Sequence, residues 1–170
     1  MPKKLDLRKP FIYLLLTCVL FGACYTFKGF SIDPNTTSFY VSNLESRAPL
    51  ANPGLAQEFT EKLKAQLRNE TRLSINQETP DLEFSGYISD YRVSAEAPNA
   101  QQGSALNRLT MIVHIDFKDN KTEKNNYSQD FQFYYNFSST ETLASVQDDL
   151  NRKISSQIIN EIILKTFNNW

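Results

Sequence analysis

The stretch LNRLTMIVHIDFKD, Leu106–Asp119, alternates apolar and polar residues almost without a break. Leu109, Met111, Val113, Ile115 and Phe117 fall at one parity, and Thr110, Ile112, His114 and Asp116 at the other. A period of two is the signature of a strand with one buried and one open face. Residues 127–137, YSQDFQFYYNF, repeat the pattern with Phe131, Phe133, Tyr135 and Phe137. Only the charged residues 120–126 separate the two runs, so they form an antiparallel hairpin.

Working outward, residues 81–93, DLEFSGYISDYRV, form a third strand. Leu82, Phe84, Gly86 and Ile88 share a face, but Tyr91 and Val93 sit at the opposite parity. That switch predicts a bulge near Ser89-Asp90. Residues 94–105, SAEAPNAQQGSA, hold almost no large apolar side chain and read as a loop or hairpin tip. Residues 36–44, TTSFYVSNL, form the first strand, and residues 45–52, with Pro49, a loop.

Two helices complete the set. Asn52 as cap and Pro53 at the first helical position open one. Leu55, Ala56, Phe59, Leu63 and Leu67 give it an apolar stripe that ends near Thr71 or Arg72. Ser138, with Glu141 three residues on, heads the other. Its stripe is Leu143, Val146, Leu150, Ile154 and Ile158. The order is β-α-β-β-β-α. Two amphipathic helices cover one face of a four-stranded sheet, giving an α/β (α+β) two-layer sandwich.

From Ile158 onward, Ile159, Ile162, Ile163, Leu164 and Phe167 spread around the whole helix. A helix apolar all round is buried on several sides. The chain's own loops or amino-terminal tether can supply the second side, or a partner can. Ile159 and Phe167 are therefore candidate partner contacts. Trp170 at the extreme end favours docking of the tail.

The first residues carry an address. Lys3, Lys4, Arg8 and Lys9 precede an uncharged run, residues 11–23, FIYLLLTCVLFGA. Spanning a bilayer takes about 20 apolar residues, so this run has the length of a signal-peptide core. It ends in Phe21-Gly22-Ala23-Cys24, small residues before a cysteine, as a lipoprotein signal peptidase requires; Phe21 stands where Leu is usual. The expected organisation is a signal peptide over 1–23, a lipidated tether over 24–35 and one α/β domain over 36–170. Lipidated Cys24 gives stable membrane anchoring. The mature chain has no other cysteine, hence no internal disulfide. It keeps fourteen Lys and Arg against eighteen Asp and Glu, a net of about −4, so general attraction to anionic lipid is not the anchor.

Composition narrows the function. With 170 residues and a formal net charge of -1, the chain does not suit a nucleic-acid backbone binder. Two Cys and one His exclude Cys/His zinc frameworks. There is no glycine-rich phosphate loop and no nucleophile elbow. His114 beside Asp116 is the one arrangement that could orient an imidazole for base work. Asp148-Asp149 and Asp116/Asp119 lack calcium-loop spacing. No cofactor is expected, and the chain reads as noncatalytic.

Several of these segments, in this order, resemble the LptE family of lipopolysaccharide-assembly lipoproteins, in its Bacteroidota form. They are Cys24 followed by YTFKGFSI, RAPLANPGLAQEFTEKLK (residues 47–64), DLEFSGYISDYRVS (81–94), ALNRLTMIVHIDF (105–117), YSQDFQFYYNFSST (127–140) and the closing FNNW. The resemblance implies a β-α-β-β-β-α two-layer domain. It further implies anchoring at the periplasmic face of the outer membrane, association with the β-barrel translocon LptD, and lipopolysaccharide as a ligand. Of the family's functional residues only the lipidated cysteine, Cys24, maps onto this chain.

Barrel interiors are polar, so a wet surface suits such a partner. Asn99, Gln101, Gln102 and Ser104 in the loop are one candidate contact; the outward row Thr110, Ile112, His114 and Asp116 is another. Two other readings are an independent envelope lipoprotein whose aromatic strand 127–137 lines a pocket for a lipid or glycan, and a hydrolase built on His114.

Overall fold

The computed structural model describes residues 32–96 and 105–167. Among these residues, six strands and two α-helices follow one another. These are β1 (Ser38–Val41), β2 (Glu45–Ser46), α1 (Leu55–Glu70), β3 (Ser74–Ile75), β4 (Leu82–Glu96), β5 (Leu106–Asp119), β6 (Tyr127–Ser138) and α2 (Leu143–Phe167). They form the expected α+β two-layer arrangement, with a sheet in the order β3-β1-β4-β5-β6. The sheet has six strands rather than four. The two additions, β2 and β3, are two residues each, too short to show alternation.

Strand β1 runs parallel to β4, pairing Phe39 with Leu82 and Val41 with Phe84. The same edge of β4 then takes β2, with Glu45 opposite Tyr87. The expected first strand and part of the expected loop are thus one interrupted edge along a longer neighbour. Strands β4, β5 and β6 are antiparallel throughout.

The parity switch in β4 is a bulge between Ile88 and Asp90. It returns the apolar face to the core side, so Ile88 and Tyr91 are both buried. The Tyr91 hydroxyl donates to Asn151 Oδ1 at 2.9 Å and accepts from Gln147 Nε2 at 3.0 Å. Burial pushes the Tyr91 phenol up from its ordinary value.

Helix α1 begins at Leu55, two residues later than expected. Pro53 and Gly54 form a turn, Leu55 N–H donates to Asn52 O at 3.0 Å, and no side chain caps the end. The apolar stripe from Leu55 to Leu67 is buried as its spacing requires. Helix α2 likewise starts at Leu143; Ser138 and Glu141 instead close a turn, with Ser138 N–H donating to the Glu141 carboxylate at 3.3 Å.

Helix α2 packs against β6 and β5 on one side and α1 on another. Lys62 of α1 donates to Arg152 O at 2.8 Å and to Ser156 Oγ at 2.6 Å, fixing the two helices together. Burial, then the nearby Arg152 charge, lower the Lys62 ammonium. Ile159 and Phe167, considered as partner contacts, are both 0% exposed and belong to the chain's hydrophobic core cluster. Among the described residues, no helix packs on the sheet's second face.

Candidate functional site

The uncovered face of the sheet is built from the outward parity of β4, β5 and β6. Tyr87 stands opposite His114, and His114 opposite Asp130. The side chains form one row across the sheet. The Arg47 guanidinium, just beyond β2, lies 3.5 Å from the Tyr87 ring centroid. Tyr87 and His114 stack at 4.9 Å with 23° between planes. His114 Nδ1 is 2.6 Å from the Asp130 carboxylate, and its Nε2 is 3.1 Å from Ser128 Oγ and 3.5 Å from Asp116. A carboxylate can only accept, so Nδ1 carries a proton. Neutral, the ring then accepts the Ser128 hydroxyl at Nε2.

A second row lies towards the other end of the strands. Arg108 reaches Glu96 at 3.3 Å and Asn136 at 3.1 Å, and its guanidinium sits 4.0 Å from the Tyr134 ring centroid. Asp90 and Arg92 pair beside it. The face therefore offers aromatic rings and neutralised charges, with hydrogen-bonding capacity to spare. Thr110 and Ile112 lie between the two rows, and Thr110 is buried.

Gly86 positions the first row. A Cβ there would stand 3.0 Å from the His114 carbonyl carbon and 3.2 Å from Ile115 Cα, and closer still to His114 O. Only a glycine lets β4 approach β5 so closely at this point.

Asp130, His114 and Ser128 are connected in the order of a Ser–His–Asp triad, but the surroundings oppose acyl transfer. Such chemistry needs hydrogen-bond donors converging where the oxyanion forms. Here Asp116 places a second carboxylate beside Nε2, where it would repel that charge. Ser128 also lies within a regular strand rather than on a strained turn. Among the described residues, no group of three or more His, Cys, Asp or Glu could hold a metal ion.

Of the residues singled out by sequence, His114 and Asp116 are brought together on this face. Asp148 and Asp149 lie on α2, where Asp149 pairs with Lys153 at 2.6 Å. Cys24, Asn99, Gln101, Gln102, Ser104 and Trp170 lie outside the described residues. Sequence reasoning missed Arg47, Tyr87, Ser128 and Asp130; the hairpin register, once fixed, would have placed Asp130 opposite His114. The aromatic strand does not line an enclosed pocket with all its rings: Phe131 and Phe137 are buried in the core, and Tyr134 lies on the opposite face.

Among the described residues no helix is long and apolar enough to cross a membrane. No curated protein matches the chain by sequence. Solved structures that share its fold include these two. One, a hypothetical protein from Chlamydia trachomatis, is 11% identical, with a TM-score of 0.53 over 79% of this chain and 99% of that one. The other, a protein from Xanthomonas campestris, is 12% identical, with a TM-score of 0.50 over 80% and 89%. A family model described as "LptE: Lipopolysaccharide-assembly" matches residues 36–166, from the residues before β1 nearly to the end of α2. By that match over most of its length, the chain belongs to the LptE lipopolysaccharide-assembly family.

Proposed function

We propose that this chain is a noncatalytic lipoprotein, held at the periplasmic face of the outer membrane through lipidated Cys24. Its work is to support assembly and function of an LptD-like β-barrel in lipopolysaccharide transport to the cell surface. Family membership supports the pathway. The observation that carries the partner reading is the uncovered sheet face, where Arg47, Tyr87, His114 and Asp130 form a continuous polar and aromatic row. A barrel lumen is polar, and such a row can exchange hydrogen bonds with it while burying ring surface. Asn99, Gln101, Gln102 and Ser104, between β4 and β5, supply further polar contacts in this reading.

Copurification tests it. Membranes solubilised in mild detergent should yield the chain together with a large outer-membrane β-barrel protein. Recovery of the chain alone under those conditions would contradict the proposal.

A further inference from the structure

Strand β6 is the sheet's terminal strand, twelve residues long, with no bulge against β5 and with neither Pro nor Lys. Ser139 N–H donates to Ala105 O at 3.3 Å, which sets the phase of the β5–β6 ladder. Odd-numbered residues of β6 therefore bond to β5. Ser128, Asp130, Gln132, Tyr134 and Asn136 direct their main-chain N–H and C=O groups away from the sheet. Among the described residues nothing bonds those outward groups. Its one charged side chain, Asp130, is engaged by His114 at 2.6 Å, and a long edge without lysine, proline or a bulge is a template for another strand.

Beside this edge, on the helix side, runs an open groove of ≈ 470 Å³ between β6 and the first half of α2. Tyr135, Phe137, Val146 and Leu150 line it, and Tyr135 is 36% exposed. Its charges are already engaged: Lys153 with Asp149 at 2.6 Å, and Glu141 with Ser138 N–H at 3.3 Å.

We infer that the β6–α2 groove binds an extended segment of a partner protein, which adds to β6 as a further strand. Only an extended main chain presents donors and acceptors at the repeat of the outward β6 groups. Alternate side chains of that segment point into the groove. Because the groove's charges are paired, those side chains are apolar and uncharged. The opposite parity of the segment extends the uncovered face next to Asp130 and Tyr134. This surface is distinct from that face and does not depend on the identity of the barrel partner.

The test uses the full chain and a random twelve-residue peptide display library. Selected peptides should carry apolar residues at alternate positions. Their synthetic copies should slow amide exchange at Gln132, Tyr134 and Asn136 at least tenfold. Gln132→Pro removes an outward N–H that the β5 ladder does not use, and it should lower peptide affinity at least tenfold while the far-ultraviolet circular dichroism stays unchanged. Should that variant fold poorly, N-methylating the peptide amides that face β6 asks the same question of the unaltered protein, with the same tenfold loss expected. Absence of enriched peptides, equal binding of the methylated peptides, or exchange unchanged at those three amides would overturn the inference. A solution dimer that Gln132→Pro dissolves would overturn it too, assigning the edge to a second copy of the chain.

Discussion

The Tyr91 hydroxyl donates to Asn151 Oδ1 at 2.9 Å, joining the strand just past the β4 bulge to the middle of α2. The Asn151 side chain is buried, and Gln147 completes the hydroxyl's bonding from one turn earlier. Asn151→Ala leaves a buried donor without its acceptor and should cost about 1–3 kcal/mol. Denaturant unfolding of Tyr91→Phe, Asn151→Ala and the double variant should show a coupling of roughly 0.5 kcal/mol or more. Strict additivity would mean the pair does not hold the bulge to the helix.

Asp81 ties the start of β4 to the residues leading into β1. Its carboxylate accepts Thr37 N–H at 2.7 Å, Thr37 Oγ1 at 3.0 Å and Ser38 N–H at 3.1 Å, and it pairs with Lys121 at 2.9 Å. Burial alone would raise its pKa, but the bonds from Thr37, Lys121 and Ser38 outweigh it and hold the acid well below the usual carboxylate range. A depressed folded value stabilises the fold above the unfolded value of about 4 and loses that contribution as pH falls further. Asp81→Asn should therefore cost about 2 kcal/mol at neutral pH. The gap between variant and parent should narrow progressively below about pH 4; a gap independent of pH would refute the assignment.

Gly86 is the close point between β4 and β5. Gly86→Ala forces the strands apart beside His114 and should destabilise the fold by about 1–3 kcal/mol. Thermal unfolding checks the stability, and the amide exchange of Tyr87 and His114 checks the place. A variant of unchanged melting temperature would show that the strands can shift without cost.

The proposed mature chain holds no second cysteine for Cys24 to bond, so the role proposed for Cys24 is acylation at the membrane. Cys24→Ser should abolish acylation and release the protein from the membrane fraction, or leave it uncleaved, while the domain still folds. Intact-mass measurement of the native protein should find acyl groups on Cys24. An unmodified cysteine, or a mature end elsewhere, would remove the anchor from the account.

How far these features could be read from sequence depended on their length. Nine residues of near-regular alternation, 109–117, fix the face and register of β5, because a one-place slip would put Met111 and Val113 in water. The β4 bulge showed itself as a parity change for the same reason. Strands β2 and β3, at two residues each, exist only because β4 and β1 offer them an edge. The start of α1 was misplaced because Pro53 suits both a first helical position and a turn, and the following Gly54 selects the turn. The end of α2 is ambiguous in sequence, since an all-round apolar helix does not say what buries it; the fold takes Ile158, Ile159, Ile162, Ile163 and Phe167 into its one core cluster. The row on the open face was half legible. Asp116 is visible two residues from His114, but Asp130 and Ser128 arrive only through the hairpin register.

The central claim is that the uncovered face meets the barrel. Tyr87→Ala combined with His114→Ala strips the row while touching none of the buried core. The double variant should still fold, with a melting temperature below the parent's, because Tyr87 and His114 are half-buried and lose their stacking and the His114–Asp130 bond while the core stays intact. The decisive measurement is the amount of large outer-membrane barrel protein that copurifies with the lipidated variant from mild detergent, relative to the parent chain. The account predicts a loss of at least tenfold, the effect of about 1.4 kcal/mol at an interface. Undiminished recovery of the barrel with a folded variant would contradict it.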